Sequence, residues 1–235
     1  GTEIRTKRFM KKLILLLALV LPAALSAQQR DWANYGHYAT ANAQLTAPPA
    51  VVFMGNSITA GWYKTHPEFF TANNFACRGI GGQVSSQMLC RFRADVINLH
   101  PQAVVILAGT NDIAQNNGPI EIEHITENVI SMAELAMAAG IRPIICSVLP
   151  AGKFPWRAEI EDAAGKIRTL NAQLKQYARD RGLIWIDYHS AMQAEDGSLR
   201  SEYTKDGVHP TAEGYAVMER VILPALAHYR AAAAK

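Results

Sequence analysis

Residues 51–62 read VVFMGNSITAGW. Four apolar residues, Val51 to Met54, run without alternation into Gly55-Asn56-Ser57, where the hydrophobicity stops. An unbroken apolar run is how a strand covered on both faces reads. Gly, Asn and Ser are ordinary turn residues, so they can simply end it. The same arrangement also pushes a serine hydroxyl out beyond the end of a buried strand. What the rest of the chain brings to Ser57 decides between punctuation and nucleophile.

Working outward from this stretch, the pattern recurs. Apolar runs at 51–55 (VVFMG), 75–80 (FACRGI), 103–109 (AVVILAG), 142–148 (RPIICSV) and 183–187 (LIWID) alternate with helical patterns at 83–99, 120–139, 157–181 and 211–230. Such alternation predicts an α/β fold, a mostly five-stranded parallel sheet with helices on both faces, joined by right-handed crossovers. No repeat or linker divides it, so residues 50–230 are expected to form one domain, after a polar, Ala-rich segment (28–49) and before a short tail (231–235). Open parallel sheets bind ligands beyond the carboxyl ends of their strands. Ser57 lies at such an end.

The chain has 235 residues, 49% hydrophobic and 18% charged, which is the composition of a globular domain with material for a core. Its net charge of +3 is uneven: Arg5, Lys7, Arg8, Lys11 and Lys12 against Glu3 put +4 into the first 27 residues, leaving −1 for the remainder. The basic excess belongs to the leader, so nucleic acid is not an expected partner. From Met10 the leader reads MKKLILLLALVLPAALSAQQ, a Lys pair, an apolar stretch and small residues. This is the layout of a secretory signal peptide, with cleavage expected after Ser26 or Ala27 and residues 1–9 as an upstream extension. The apolar stretch before Pro22 is shorter than the ~20 residues a span needs, so no stable membrane anchor is expected. The reading is therefore an exported protein, periplasmic or extracellular.

Three cysteines, Cys77, Cys90 and Cys146, are no disulfide framework, and nothing has metal-ligand spacing. Cys146, inside IICSV, reads as a small buried hydrophobe. A Cys77–Cys90 bridge stays open.

Possible partners for Ser57 stand at the other strand ends. The second strand runs into Arg78-Gly79-Ile80-Gly81-Gly82-Gln83, the third into Gly109-Thr110-Asn111-Asp112, and Tyr203-Thr204-Lys205-Asp206-Gly207-Val208-His209-Pro210 precedes the last helix. Each is weak alone. Together, on one rim, their chemistry is complementary. A serine needs a base to take its proton, and His209 can act near neutral pH. Asp206, three residues earlier, can hold the other ring nitrogen. The oxyanion of acyl transfer needs donors, which the N–H groups of Ser57 and Gly82 and the Asn111 amide can supply.

The blocks GNSIT, GIGG, GTND and DGVHP resemble the SGNH (GDSL-type) hydrolases, esterases and lipases of flavodoxin-like three-layer fold. The resemblance spans about residues 50–228 and is similar in pattern to bacterial relatives of platelet-activating-factor acetylhydrolase subunits and of carbohydrate acetylesterases. It implies Ser57, Gly82, Asn111 and His209 as the family's Ser, Gly, Asn and His, with Asp206 as its Asp. It implies a serine esterase without metal or cofactor, acting on a short acyl group, expected to be acetyl on a sugar, with a phospholipid or lysophospholipid as the alternative substrate. Two positions depart from the family pattern, Asn56 and Gln83, where acids are usual.

Other residues have competing readings. Trp62 and Trp156 are candidate substrate contacts, Trp62 with core packing as the rival and Trp156 on the loop LPAGKFPWRAE (149–159). His189 rivals His209 as base but lacks the Asp-x-x-His pairing. Asp112 reads as a helix or turn brace, Thr211 as an N-cap with Glu213 in the first turn. An α/β-hydrolase would carry G-x-S-x-G, and Thr59 stands where its second Gly belongs. A non-catalytic flavodoxin-like binding protein is the rival from another class.

Overall fold

The computed structural model describes residues 31–229, so the signal-peptide reading lies outside the described residues. The chain divides into two units, Gly1–Asn34 and Tyr35–Lys235, and the sheet and its helices all lie in the second. A short helix α1 (Ala39–Ala43) precedes β1 (Val51–Gly55), α2 (Ser57–Thr65), α3 (Pro67–Thr71), β2 (Phe75–Gly79) and α4 (Ser85–Asp95). Then come β3 (Ala103–Leu107), α5 (Thr110–Ile113), α6 (Ile122–Ala138) and β4 (Arg142–Cys146). The chain continues through α7 (Ala163–Asp180), β5 (Ile184–Ile186), α8 (Tyr188–Met192) and α9 (Ala212–Leu226).

The five strands pair in parallel in the order β2-β1-β3-β4-β5. Gly55 stands opposite Gly79 on one side and Leu107 on the other, so three strands end level and their following turns share one rim. Successive strand side chains point to opposite faces, which sorts the apolar runs into two cores. Val52, Met54, Val104, Ile106 and Ile145 pack with Met88 and Phe92 of α4, Met132 of α6 and Leu170 of α7. Val51, Phe53, Val105, Leu107 and Ile144 pack with Ile58 and Trp62 of α2, Phe70 of α3, Tyr188 of α8 and Met218 of α9. This is the expected three-layer α/β/α arrangement.

One feature differs from the sequence reading, and two others add to it. The helix expected from residue 157 begins at Ala163, because residues 150–162 form a loop anchored by buried Phe154. Asp162, at φ 49°, then caps α7 by accepting from the Gly165 N–H at 3.0 Å. The polar segment before β1 belongs to the same unit as the sheet from Tyr35 onward. Tyr38 donates to the Gly79 carbonyl at 2.6 Å, and Asn42 donates to Asp95 at 2.7 Å. Finally, no Cys77–Cys90 bridge forms: all three thiols are free. The sheet separates the pair, since Cys77 packs in the core under α2 whereas Cys90 lies on α4 at the other face. Cys146 is buried, as its pattern predicts.

Candidate active site

Ser57 is the first residue of α2, and Asn56 is its N-cap: the Asn56 side-chain oxygen accepts from the Ile58 N–H at 2.9 Å. Capping needs only a carbonyl oxygen, so the amide does here what a carboxylate does elsewhere. The Asn56 backbone carbonyl accepts from Ala60 N–H at 3.0 Å, which closes the first turn of the helix. The end of β2 comes hard against this turn. A Cβ on Gly79 would stand 2.7 Å from Asn56 O and 2.8 Å from Thr59 Cβ, so only glycine allows the approach. Among the described residues the Ser57 N–H has no protein acceptor, and it lies at the positive end of a nine-residue helix.

The loop after β2 abuts Ser57: a Cβ on Gly81 would lie 3.9 Å from Ser57 Cβ. Gly82 sits at φ +76° with nothing within 4 Å of the Cβ position, so backbone conformation rather than space requires glycine there. Its N–H also has no protein acceptor among the described residues. Asn111, nearly buried at the start of α5, donates one amide hydrogen to Gln83 O at 2.9 Å and keeps the other free for a ligand. Asp112 braces the same turn, accepting from Ser85 N at 2.9 Å and from Ser85 Oγ at 2.5 Å. Burial pushes the Asp112 carboxyl up, while the Ser85 bonds pull it back.

From the last loop, His209 Nε2 lies 2.9 Å from Ser57 Oγ, and His209 Nδ1 lies 2.7 Å from Asp206 Oδ2. An ionised carboxylate only accepts, so Nδ1 carries the ring hydrogen and Nε2 presents its lone pair to the serine hydroxyl. The other oxygen of Asp206 accepts from His209 N at 2.8 Å and Val208 N at 2.9 Å. Partial burial raises the Asp206 pKa, but the His209 and Val208 hydrogen bonds outweigh it and hold the carboxyl at about 2. Thr204 Oγ1 donates to His209 O at 2.8 Å, and Thr211 caps α9 by accepting from Gly214 N at 3.4 Å, so the loop is tied at both ends.

The profile of the GDSL-like lipase/acylhydrolase family matches residues 53–217, which carry all of these groups. The chain belongs to the GDSL-like lipase/acylhydrolase family. Its members hydrolyse carboxylic esters, and this chain is one of them. The structure of a GDSL-like lipase from Bacteroides thetaiotaomicron VPI-5482 is 51% identical, with a TM-score of 0.82, over 84% of this chain and 99% of that one. A protein of Bacteroides fragilis NCTC 9343, described as a candidate acylhydrolase, is 50% identical, with a TM-score of 0.83, over 85% and 99%. Among curated proteins, the uncharacterized lipoprotein YqeF of Bacillus subtilis (strain 168) is 32% identical over 75 residues, and the match spans only 31% of its length.

Within this GDSL-like hydrolase, five predicted positions gather at one rim with Trp156 beside them, and Trp62 and His189 do not join them. Ser57, His209 and Asp206 are linked, and the Gly82–Asn111 side faces them across Gly81. Trp62 is corrected: it is 1% exposed, stacks on Phe69 with ring centroids 4.9 Å apart and donates to Glu219 at 2.9 Å. Five residues along a helix from Ser57, it points well away from it and into the core. His189 is buried, its backbone N–H bonded to Ser147 Oγ, and burial lowers its pKa. It takes no part in the Ser57 relay. Trp156, 40% exposed, lies with its ring 5.8 Å from the His209 ring.

Sequence reasoning missed Arg91. Its side chain is 0% exposed; the guanidinium donates to Gly55 O (3.2 Å), Arg78 O (2.8 Å), Gln83 Oε1 (2.6 Å) and Asp95 (2.8 Å). One cation thus ties together the ends of β1 and β2 and the loop that carries Gly82. The Gln83 departure finds its role here, as a neutral acceptor beside a cation that Asp95 already balances. An arginine inside the helical pattern 83–99 reads as a surface charge, so the sequence carries no local signal for it.

Proposed function

We propose that Ser57 is the nucleophile, His209 the general base and acid, and Asp206 its orienting carboxylate. Ser57 N–H, Gly82 N–H and the free Asn111 amide hydrogen serve as oxyanion donors. The substrate in this reading is a short-chain ester, acetyl on a carbohydrate, met outside the cytoplasm. The observation that carries the reading is the unbroken Ser57–His209–Asp206 line of hydrogen bonds at 2.9 and 2.7 Å. Ser57 Oγ attacks the ester carbonyl as its proton passes to His209 Nε2, forming a tetrahedral oxyanion. The intermediate collapses to an acyl-enzyme, and the leaving alkoxide takes the proton from His209 and departs as the alcohol. Water then gives its proton to His209, attacks the acyl carbon, and releases the carboxylic acid and Ser57. Asp206 stays ionised throughout, stabilising the imidazolium.

The setting supports a small acyl group on a polar alcohol. His209 and Asp206 side chains are 38% and 41% exposed, so the reaction centre opens directly to solvent. A groove of about 550 Å³ beside them is lined by polar and small groups, including Lys205, Pro210, Thr211 and Glu213. The exposed Trp156 offers an aromatic face beside the base, suited to the apolar side of a sugar ring. The leader pattern of residues 10–27, together with the lipoprotein description of the Bacillus relative, supports export.

The test is turnover of p-nitrophenyl esters from acetate to decanoate by the wild-type protein and by Ser57→Ala, followed by acetylated xylo-oligosaccharides. A maximum at acetate that vanishes in the variant, with acetate released from the sugar, is the expected result. A maximum at long acyl chains would replace the sugar by a lipid ester. Turnover that survives in Ser57→Ala would overturn the nucleophile.

A further inference from the structure

The Gly81-Gly82 turn is exposed, so side-chain packing does not hold it. An oxyanion donor on a glycine turn must nevertheless be preorganised, because reorganisation at the moment of reaction forfeits its effect. The peptide that follows Gly82 is pinned at both ends. Gln83 N–H donates to Ile80 O at 3.3 Å, and Gly82 O accepts from the Asn116 side-chain amide at 3.2 Å. The first bond is local to the turn. The second comes from 34 residues away.

Asn116 is itself held. Its backbone N–H donates to Asn111 O at 3.0 Å, so it follows directly on the helix that presents the Asn111 amide. Its side-chain oxygen accepts from Trp156 Nε1 at 2.9 Å. An indole N–H can only donate and a carbonyl can only accept, so these two partners fix the orientation of the amide uniquely. Arg157 closes the same junction by donating to Gln115 O at 2.6 Å, where Gln115 sits in the left-handed region at φ 53°. The other side of Trp156 meets the His209 ring.

We propose that Asn116 is a positioning residue for the oxyanion donor Gly82, and that Trp156 braces it through the indole N–H. This rests on the reading of Gly82 as an oxyanion donor given above. One indole therefore walls the site beside His209 and, through one amide, sets the peptide next to Gly82 on the opposite side of the reacting carbonyl. A substrate group that seats against Trp156 presses on the element that holds the oxyanion hole in place.

The experiment measures kcat and KM on p-nitrophenyl acetate for the wild type, Asn116→Ala, Asn116→Asp, Trp156→Phe and the double variant Asn116→Ala/Trp156→Phe. All rates are expressed per Ser57 titrated with a fluorophosphonate, which removes any fraction that fails to fold. Asn116→Ala is expected to lower kcat about tenfold with KM within about twofold, less than the 100- to 1,000-fold of losing a donor outright. Asn116→Asp keeps the acceptor for Trp156 but removes the donor to Gly82 O, and is expected to match Asn116→Ala. Trp156→Phe keeps a ring against His209 and removes only the N–H. It is expected to lower kcat about threefold, and the double variant to be no worse than Asn116→Ala, as for two residues acting in series.

An Asn116→Ala kcat within twofold of wild type, or a change confined to KM, would overturn the positioning role. Losses that multiply in the double variant, or a shifted acid limb of the pH profile in Trp156→Phe, would place the tryptophan's effect on His209 and overturn the bracing. Failure of the wild type to turn over the ester in a Ser57-dependent way would overturn the underlying acyl-transfer reading instead, and is distinguished by the Ser57→Ala control.

Discussion

The two halves of the site are held by opposite means. Ser57, Gly82 and Asn111 stand on turns whose anchors lie inside the protein: the Asn56 cap, the Ser85–Asp112 contact and the fully buried Arg91. Asp206 and His209 stand on an exposed loop held by short-range hydrogen bonds, each spanning five residues or fewer. In the roles proposed for them, a nucleophile and its oxyanion donors gain from a rigid, low-dielectric mounting, because their positions decide how well charge is met in the transition state. The base must exchange protons with leaving alcohol and incoming water, so it gains from exposure. The contrast teaches that damage to the first half should register strongly in folding as well as rate, and damage to the second chiefly in rate.

The largest expected effect tests the exposed half. Asp206→Asn leaves the loop able to form but offers a neutral amide to His209 Nδ1, and kcat is expected to fall on the order of 10⁴-fold with a melting temperature lowered by only about a few degrees near neutral pH. A loss of only tenfold would mean that the imidazole is oriented by Thr204 and Val208 without the carboxylate.

Next comes the buried half. Arg91→Met removes one charge of a buried pair and strands Asp95, so unfolding free energy should drop by roughly 3–5 kcal/mol in urea titration. The surviving folded fraction should also be slower, because Gln83 loses its partner. A variant as stable as the wild type would show that solvent reaches Asp95.

A smaller effect probes the exposed half by pH. Asp206 titrates at about 2 in the folded protein, below its ordinary value of 3.8. Its contribution to stability is therefore complete above about pH 4 and lost as the pH falls towards 2. The melting-temperature difference between wild type and Asp206→Asn, measured at pH 2, 3, 4 and 6, should be constant at the upper values and close at the lowest. Activity is to be followed over the same pH series. If activity and the stability difference fell together, the carboxylate rather than the imidazole would limit the rate.

The smallest effect is expected at Asn56→Asp. The carboxylate keeps the cap on Ile58 N–H, so kcat should stay within about threefold and the melting temperature within a few degrees. A larger change in kcat would show that the charge at this position, and not only the hydrogen bond, tunes Ser57.

The sequence made the layers and the rim legible because strands buried on both faces are spelled out as unbroken apolar runs, and their ends are marked by Gly, Asn and Asp. Asp206 and His209 were legible as a pair because the contact between them is local, three residues on one turn. Thr211 was readable for the same reason, since capping depends on near neighbours, whereas the partner that Asp112 braces, Ser85, stands 27 residues away. Trp62 was not, since an aromatic residue reads alike in a core and on a binding face until the helix phase relative to Ser57 is known. The start of α7 was missed because residues 157–162 (RAEIED) are mostly helix formers by type, whereas Arg157 is drawn to Gln115 O and Ile160 into the core by tertiary contacts.

What the sequence determined by itself, then, was a parallel α/β sheet and the residue types gathered at one rim, both written in local periodicity and turn chemistry. Only the tertiary structure decided that Arg91 is a buried clamp rather than a surface charge, that Cys77 and Cys90 are kept apart by the sheet, and that Asn116 joins Trp156 to Gly82. Those facts depend on which distant segments become neighbours, and a hydrogen bond between residues 34 or 40 positions apart leaves no mark on the local pattern of either.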